Sequence, residues 1–220
     1  LLADVSHELR TPLSVIQGNV EGILDGLYPA DRPHLEPILE EIGLLERLVD
    51  DLRTLSLAET GELRLHREPA HLADLLGEVV TAFEARAQAA GLALRLQAPA
   101  ELPVLDIDAT RMRQVLGNLV ANALRFTPRG GEVVVVASVE GDSSIIEVRD
   151  TGPGIAAEAL PHVFDRFYRS GDSAGSGLGL PIARSLIEAH GGSIEALSPP
   201  GGGTTIRLRL PRHEEPANTP

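Results

Sequence analysis

Hydrophobic positions over residues 1–60 recur at three- and four-residue steps, the spacing of an apolar face on an α-helix. The pattern predicts one helix over residues 1–28, a break at two closely spaced prolines, and a second helix to about residue 59. In the second helix the apolar steps form a heptad seam through Leu35, Ile38, Ile42, Leu45, Val49 and Leu52. Such a helical hairpin has little core of its own, so we predict a homodimer through residues 1–60 in a four-helix bundle. The alternative is that both helices pack on the rest of their own chain.

The pattern changes after Thr60-Gly61 to alternating strand-like and helical segments. We predict strands at 62–66, 92–97, 103–107, 132–139, 144–149, 193–198 and 204–210, and helices at 71–90, 109–126 and 178–190. The predicted fold class is α plus α/β, a dimeric helical hairpin followed by an α/β sandwich with helices on one face of one sheet. The predicted domains are residues 1–60 and 61–212, with a flexible polar tail at 213–220.

Composition narrows the function classes. The formal net charge of −13 disfavours nucleic acid as a partner, since binding it requires a basic surface. Without cysteine there are no disulfides, and without lysine there is no Walker-type phosphate loop. No apolar run is long enough to span a membrane. We expect a cytoplasmic fragment whose full-length protein is anchored in the cell membrane only through segments absent from this chain.

A histidine-centred motif, SHELRTP at residues 6–12, lies in the first predicted helix. His7 points away from the apolar seam, and Thr11 shares its exposed face one turn later. A neutral imidazole is a competent nucleophile when one ring nitrogen is bare, and the adjacent Glu8 can accept the other N–H. Pro12 leaves the Glu8 carbonyl without its helical donor and could bend the helix beside the histidine. An exposed histidine on a charged helix face is the alternative interpretation.

A second group of polar side chains shares one face of the helix predicted at 109–126. Asn118, Asn122 and Arg125 are spaced i, i+4 and i+7. Amide oxygen is a suitable ligand for Mg²⁺, and a guanidinium suits phosphate. Exposed polar residues without a ligand would give the same pattern.

Two glycine-containing loops complete the candidate chemistry. In DTGPGI, Asp150 ends a predicted strand and can accept from an exocyclic amino group, while Gly152 and Gly154 permit close approach. GSGLGL at 175–180 precedes a helix, whose unpaired N–H groups form an anion site. The alternatives are an ordinary tight turn and an ordinary loop.

Taken in chain order, SHELRTP, NLVANALRFTP, DTGPGI, FDRFYR and GSGLGL resemble the H, N, first glycine, F and second glycine boxes of bacterial two-component sensor histidine kinases. The resemblance covers residues 1 to about 210. It implies a phosphotransferase that autophosphorylates His7 from Mg-ATP and passes the phosphoryl group to an aspartate in the receiver domain of a response regulator. Phosphatase activity toward the phosphorylated regulator is also implied.

The resemblance also implies a role for each matching residue. His7 would be the phosphoacceptor, Glu8 its acid/base partner, and Thr11 the residue that positions water in the phosphatase reaction. The nucleotide would contact three sets of residues. On the helix these are Asn118, Asn122 and Arg125, with Asn122 as the Mg²⁺ ligand. Asp150, Gly152 and Gly154 would surround adenine, and a mobile lid with its hinge would contribute Arg169, Gly175, Gly177, Leu178 and Gly179.

Two other classes of protein remain possible at this stage. Related chaperone- and topoisomerase-type ATPases resemble one another in having a Glu four residues before the Mg²⁺-binding Asn, as the base that activates water. Here that position is Asn118, which argues against ATP hydrolysis by water. A degenerate kinase that serves as a dimeric scaffold would lack His7, Asn122 or Asp150, and all three are present.

Overall fold

The computed structural model describes residues 2–99, 101–169, 176–199 and 202–212, with no account of the side chains of residues 2–4. The chain opens with two long helices, α1 (Leu2–Leu24) and α2 (Arg32–Glu59), which pack as a hairpin. α1 ends earlier than predicted because Gly26 adopts a left-handed φ of 70° and the Leu27 N–H donates to the Gly22 carbonyl at 2.9 Å. This is the glycine-terminated helix end that satisfies the last carbonyls.

The second part of the chain contains three helices and seven strands within the described residues. The helices are α3 (Leu72–Ala90), α4 (Ala109–Phe126) and α5 (Gly179–Ala189). The strands are β1 (Glu68–His71), β2 (Ala93–Gln97), β3 (Val104–Ile107), β4 (Glu132–Glu140), β5 (Ser143–Asp150), β6 (Ser193–Leu197) and β7 (Thr204–Pro211). A five-stranded sheet has the order β2-β4-β5-β7-β6, parallel only between β2 and β4, and β1 pairs with β3 separately.

One face of the five-stranded sheet is apolar and is covered by the helices. Register places Val135, Val148 and Ile206 side by side across β4, β5 and β7, and all three are buried in the main core. The alternate positions point away from the helices and carry an ion-pair ladder in which Arg207 bridges Glu147 and Glu195. This alternation confirms the predicted α/β sandwich with helices on one face of the sheet.

The strand predicted at 62–66 is wrong, since the first strand begins only at Glu68. The backbone N–H of His66 donates to Asp108 Oδ2 at 3.0 Å, so this donor serves a side chain and does not enter a strand ladder. The Asp108 N–H donates in turn to Nε2 of the buried His190, whose Nδ1–H donates to the Leu186 carbonyl. Burial lowers the pKa of His190, which favours the neutral ring that this arrangement requires. The segment between α2 and β1 is therefore held at the start of α4 and, through Asp108, at the end of α5.

The hairpin packs on the second part of the chain through α2. Leu48 and Leu55 are buried in the same hydrophobic core as the sheet, and α2 contacts α5. The sequence pattern predicts one apolar face, the heptad seam widened by Leu39, Leu48 and Leu55, and in the structure Leu48 and Leu55 are the positions of this face that meet the second part of the chain. The alternative of packing on the same chain thus holds for these two leucines. The tail predicted at 213–220 lies outside the described residues.

Half of the heptad seam stays exposed in the single chain. Leu35, Ile42 and Val49 are exposed, and so are Leu13 and Leu24 of α1. Apolar surface of this extent is typical of a protein interface. No helix in the part of the chain that the structure describes is long and apolar enough to cross a membrane.

We expect the chain to have twice its 23.4 kDa mass by light scattering at about 50 μM, because pairing would bury this seam. Ile42→Glu should raise the dimer dissociation constant by about tenfold or more, since it places a charge in the seam of both copies. Val139→Glu is the matched control, as Val139 is similarly exposed but lies on β4. A monomeric wild-type chain, or equal loss of the dimer in both variants, would contradict the expectation.

Candidate active site

A cleft of about 1140 Å³ lies where the hairpin meets the second part of the chain. Its wall brings together residues from all five of the motifs found in the sequence. These are represented by His7, Glu8 and Thr11 of α1; Asn118, Asn122 and Arg125 of α4; Asp150 and Gly154 at the end of β5; and Arg169, Gly177 and Gly179 around the start of α5. Residues that are up to about 170 positions apart in sequence therefore face one space.

The histidine stands on the exposed side of α1. The side chain of His7 is 77% exposed and that of Glu8 is 22% exposed, with 3.9 Å between His7 Nδ1 and Glu8 Oε1. This distance is beyond a hydrogen bond but needs only a small side-chain movement to become one. Pro12 is buried within the helix, and Thr11 is exposed on the cleft side. The predicted exposed face is thus present, with the carboxylate on the Nδ1 side and Nε2 left as the candidate nucleophile.

α4 presents its polar face to the cleft because its opposite face is core. Asp108 caps its start by accepting from the Arg111 N–H at 3.0 Å, and Met112, Val115 and Leu119 are buried. This orientation fixes where its polar residues lie.

Each polar residue of α4 has a distinct setting. Asn118 Nδ2 donates to the Gly179 carbonyl at 3.3 Å and so links α4 to α5. Asn122 is half-buried and lines the cleft. The Arg125 guanidinium lies 4.3 Å from the centre of the Phe126 ring. No cluster of three or more His, Cys, Asp or Glu suited to a metal exists among the described residues. The described residues therefore form no metal site built from several charged side chains. The single amide of Asn122 fits Mg²⁺, which keeps waters and phosphate oxygens as its other ligands.

Two guanidinium groups converge on the cleft. Burial and, after it, the positive charge of Arg169 lower the pKa of Arg125. Two like charges close together in a partly buried space are unfavourable alone and favour an anion between or beside them. The first residue of α5, Gly179, also lines the cleft, and the helix start has no side-chain cap. Its unpaired N–H groups add to the anion site.

Asp150, the last residue of β5, also lines the cleft. Its Oδ1 accepts from the backbone N–H groups of Gly152 at 2.8 Å and Thr204 at 3.2 Å. Burial raises the pKa of Asp150, and these two hydrogen bonds oppose the shift by favouring the charged form. The backbone therefore fixes one oxygen and orients the carboxylate as an acceptor within the cleft.

The predicted glycine and leucine positions divide into lining and supporting roles. Gly154 lines the cleft, whereas Gly152 is not among the lining residues. A Cβ at Gly152 would come within 2.8 Å of the Phe126 carbonyl oxygen, so a glycine is needed for close packing there. Leu178 is fully buried in the core and contributes no side chain to the cleft. Gly175 lies outside the described residues.

Part of the cleft wall was missed by sequence reasoning. Leu44, Arg47, Leu48 and Asp51 of α2 line it. The spacing of Leu44, Leu48 and Leu55 marks a second apolar row, and this signal was available in the sequence. Thr204 was also missed, since its contribution is a backbone N–H that the sequence does not distinguish.

Two family models match the chain. Residues 1–61 match the His Kinase A (phospho-acceptor) domain, and residues 107–214 match the histidine kinase-, DNA gyrase B-, and HSP90-like ATPase domain. The histidine-protein kinase BaeS of Escherichia coli (strain K12) is 38% identical over 215 residues, which are 96% of this chain and 46% of BaeS. The solved structure of histidine kinase AdeS from Acinetobacter baumannii has a TM-score of 0.81 at 32% identity, covering 94% of this chain and 98% of that one.

A solved complex of histidine kinase ThkA with response regulator protein TrrA also matches, with a TM-score of 0.74 at 26% identity, over 96% of this chain and 61% of that one. The chain thus belongs to the family of two-component sensor histidine kinases, which are ATP-dependent protein-histidine kinases, and it contains their phosphoacceptor and ATPase parts. This confirms the family inferred from the five motifs. The chain spans less than half the length of the curated relatives that it matches.

One acidic residue of α2, Asp51, lines the cleft and meets Gln114 of α4. Burial, followed by the negative charge of Asp50, raises the pKa of Asp51 to about 6, and a hydrogen bond with Gln114 and the charge of Arg47 oppose the shift. The folded protein therefore holds the proton of Asp51 more tightly than the unfolded chain does. The associated stability is present below the unfolded pKa and is lost as pH rises through about 6, so ionised Asp51 weakens this contact at neutral pH.

Asp51→Asn should raise the free energy of unfolding at about pH 7.5 by about 1 kcal/mol, a value reduced for its partial contact with water. The gain should be clearly smaller at about pH 4.5, where the folded wild type holds the proton of this carboxyl, and it should vanish only below the unfolded pKa. Calorimetric unfolding at both pH values measures this. Glu46 is exposed on the same helix, so the control Glu46→Gln should show no such pH-dependent gain. A gain of equal size at both pH values for Asp51→Asn would argue against the burial of the Asp51 charge.

Proposed function

We propose that this chain autophosphorylates His7 from Mg-ATP and then transfers the phosphoryl group to an aspartate of a response regulator. The single observation that carries the proposal is that His7 and the nucleotide-motif residues line one cleft. Membership of the family supports the reaction class, and the geometry supports the role proposed for each residue.

Nucleotide binding uses the two sides of the cleft. Asp150 accepts from the adenine amino group, with Gly154 beside it, because its carboxylate is oriented by backbone donors. Arg125, Arg169 and the start of α5 bind the phosphates. Asn122 would hold Mg²⁺, and the ion would neutralise phosphate charge.

Phosphoryl transfer follows from the placement of His7. Nε2 attacks the γ-phosphorus, the bond from that phosphorus to the β–γ bridging oxygen breaks, and ADP leaves with the electron pair. Glu8 accepts the Nδ1–H hydrogen bond once the 3.9 Å separation closes, and so favours the tautomer with a bare Nε2. Alignment and charge neutralisation supply most of the rate in reactions of this type.

The alternative of an ATPase that activates water is disfavoured by Asn118. Its amide cannot accept a proton at neutral pH, and it donates to the Gly179 carbonyl. A degenerate scaffold is disfavoured because His7, Asn122 and Asp150 are all present and share the cleft.

The partner for transfer is the receiver domain of a response regulator. The related ThkA was solved in complex with such a protein. A receiver must reach His7, which is exposed on α1 but faces the nucleotide cleft. The catalytic part, the sheet-containing part of the chain that follows the hairpin, must therefore first withdraw from the hairpin. We also propose that the kinase works as a dimer through residues 1–60 in the cytoplasm, attached to the membrane by segments outside this chain.

His7→Gln should abolish incorporation of label from γ-labelled ATP and leave nucleotide affinity within about twofold, because His7 lies outside the nucleotide-binding part. Asn122→Ala should reduce both labelling and Mg²⁺-nucleotide affinity by about tenfold or more, since one metal ligand is lost. The label should be acid-labile and base-stable, as expected of phosphohistidine. Labelling of His7→Gln at the wild-type level would remove the proposed phosphoacceptor.

Mixed dimers of the two variants extend the same experiment. Both sides of the cleft belong to one chain, so we propose that transfer occurs within a chain. A dimer of one His7→Gln and one Asn122→Ala subunit should then remain unlabelled. Labelling of the Asn122→Ala subunit by its partner would show transfer between chains and leave the role of His7 intact.

Thr11→Ala should lower phosphatase activity toward the phosphorylated regulator by about tenfold or more while sparing most autophosphorylation. The exposed Thr11 hydroxyl can orient water one turn from His7, whereas attack by the imidazole makes no demand on it. Glu8→Ala should impair the kinase first. Both rates are measured on each variant, with helicity checked by circular dichroism. An equal fall of both rates in well-folded Thr11→Ala would make Thr11 a structural residue.

A further inference from the structure

The segment 166–169 connects the catalytic part to both helices of the hairpin. Arg166 pairs with Glu59 at the end of α2, and Arg169 Nη1 lies 3.2 Å from Glu8 Oε1 near the start of α1. The two carboxylates are at the same end of the hairpin because its helices are antiparallel. Two ion pairs therefore hold this segment across the hairpin, and one of them involves the residue beside His7.

The backbone of this segment has a defined shape. Phe167 has a φ of 59°, uncommon for a residue with a side chain, and its N–H donates to the Gly177 carbonyl at 3.1 Å. Gly177 has a φ of 68°, and a Cβ there would lie 2.8 Å from the Phe167 Cα. Phe167 also packs against the core. Arg169 thus extends from a braced turn, and its ion pair is not a chance contact of a loose loop.

Arg169 and His7 both face the same oxygen of Glu8. Glu8 Oε1 is within hydrogen-bond range of Arg169 but is 3.9 Å from His7 Nδ1. With the guanidinium on Glu8 Oε1, this oxygen stays 3.9 Å from His7 Nδ1, and the hydrogen bond that would prepare His7 is not formed. The strongest alternative acceptor for Arg169 would be a terminal phosphate, which has more charge and three acceptor oxygens.

We propose that Arg169 exchanges Glu8 for the terminal phosphate of a nucleoside triphosphate, and that this exchange releases Glu8 to His7. The inference rests on the proposed function and adds its regulation: the histidine is prepared only when the nucleotide carries a transferable phosphoryl group. Arg125 supports the exchange as a second positive charge for the phosphate. Both guanidinium groups line the cleft, and they are close enough for the charge of Arg169 to lower the pKa of Arg125. A diphosphate lacks the terminal group, so it leaves the ion pair with Glu8 in place.

The exchange predicts a specific gain in binding. Breaking the ion pair costs a triphosphate some of its affinity, so Glu8→Gln should bind the non-hydrolysable β,γ-imido analogue of ATP about two- to fivefold more tightly, the range of a partly exposed ion pair. ADP affinity should stay within about 1.5-fold, as ADP does not displace the pair. Titration calorimetry on the full chain with Mg²⁺ measures both without any phosphoryl transfer.

Two controls isolate the exchange. Glu59→Gln removes the other ion pair of the segment, that of Arg166, and should leave the ratio of analogue to ADP affinity unchanged. In the Arg169→Gln background, which itself should weaken the analogue more than ADP, Glu8→Gln should bring no further gain.

Several results would overturn the exchange. Unchanged or weaker analogue binding by Glu8→Gln would indicate that Arg169 bridges both groups or contacts no phosphate. An equal gain for ADP, an equal gain in Glu59→Gln, or a gain that persists without Arg169 would indicate a general loosening of the segment. None of these results alters the labelling of His7, which tests the proposed function separately.

Discussion

The arrangement of the whole chain depends on one apolar contact, the burial of Leu48 and Leu55 of α2 in the core of the sheet-containing part. Each such burial contributes about 2 kcal/mol. Because α1 is paired with α2, fixing α2 also fixes the side of the hairpin that carries His7. The cleft between histidine and nucleotide motifs exists only because this contact sets the two parts in that orientation.

The same contact has to be reversible if a regulator is to reach His7, and its polar components limit its strength. Asp51 is partly buried beside Leu48, and its charge at neutral pH is unfavourable there. The pairs Arg166–Glu59 and Arg169–Glu8 are partly exposed, so water and salt weaken them. The hairpin and the catalytic part are therefore held together by the apolar contact of Leu48 and Leu55 and by weaker ion pairs. One of these pairs includes Arg169, which nucleotide phosphates can attract.

Much of the fold and of the site could be predicted from sequence. The limits of α3, α4 and α5 fall within about two residues of the predicted ones, because periodicity and glycine stops are local signals. The motifs also identified most of the cleft's polar residues, although not Arg47 and Asp51 of α2 or Thr204. The predicted strand at 62–66 failed because an alternating pattern cannot show that the His66 N–H is taken by a side chain 42 residues away.

The sequence by itself determined all of the helices, most of the strands, the apolar faces and the family, since each depends on neighbouring residues or on motifs in order. Only the tertiary structure decided which row of α2 meets the catalytic part, that Leu178 supports the core without entering the cleft, and that Arg169 reaches Glu8. These outcomes depend on pairs of residues far apart in the chain. Their contact is set by the packing of whole elements, which no local pattern contains.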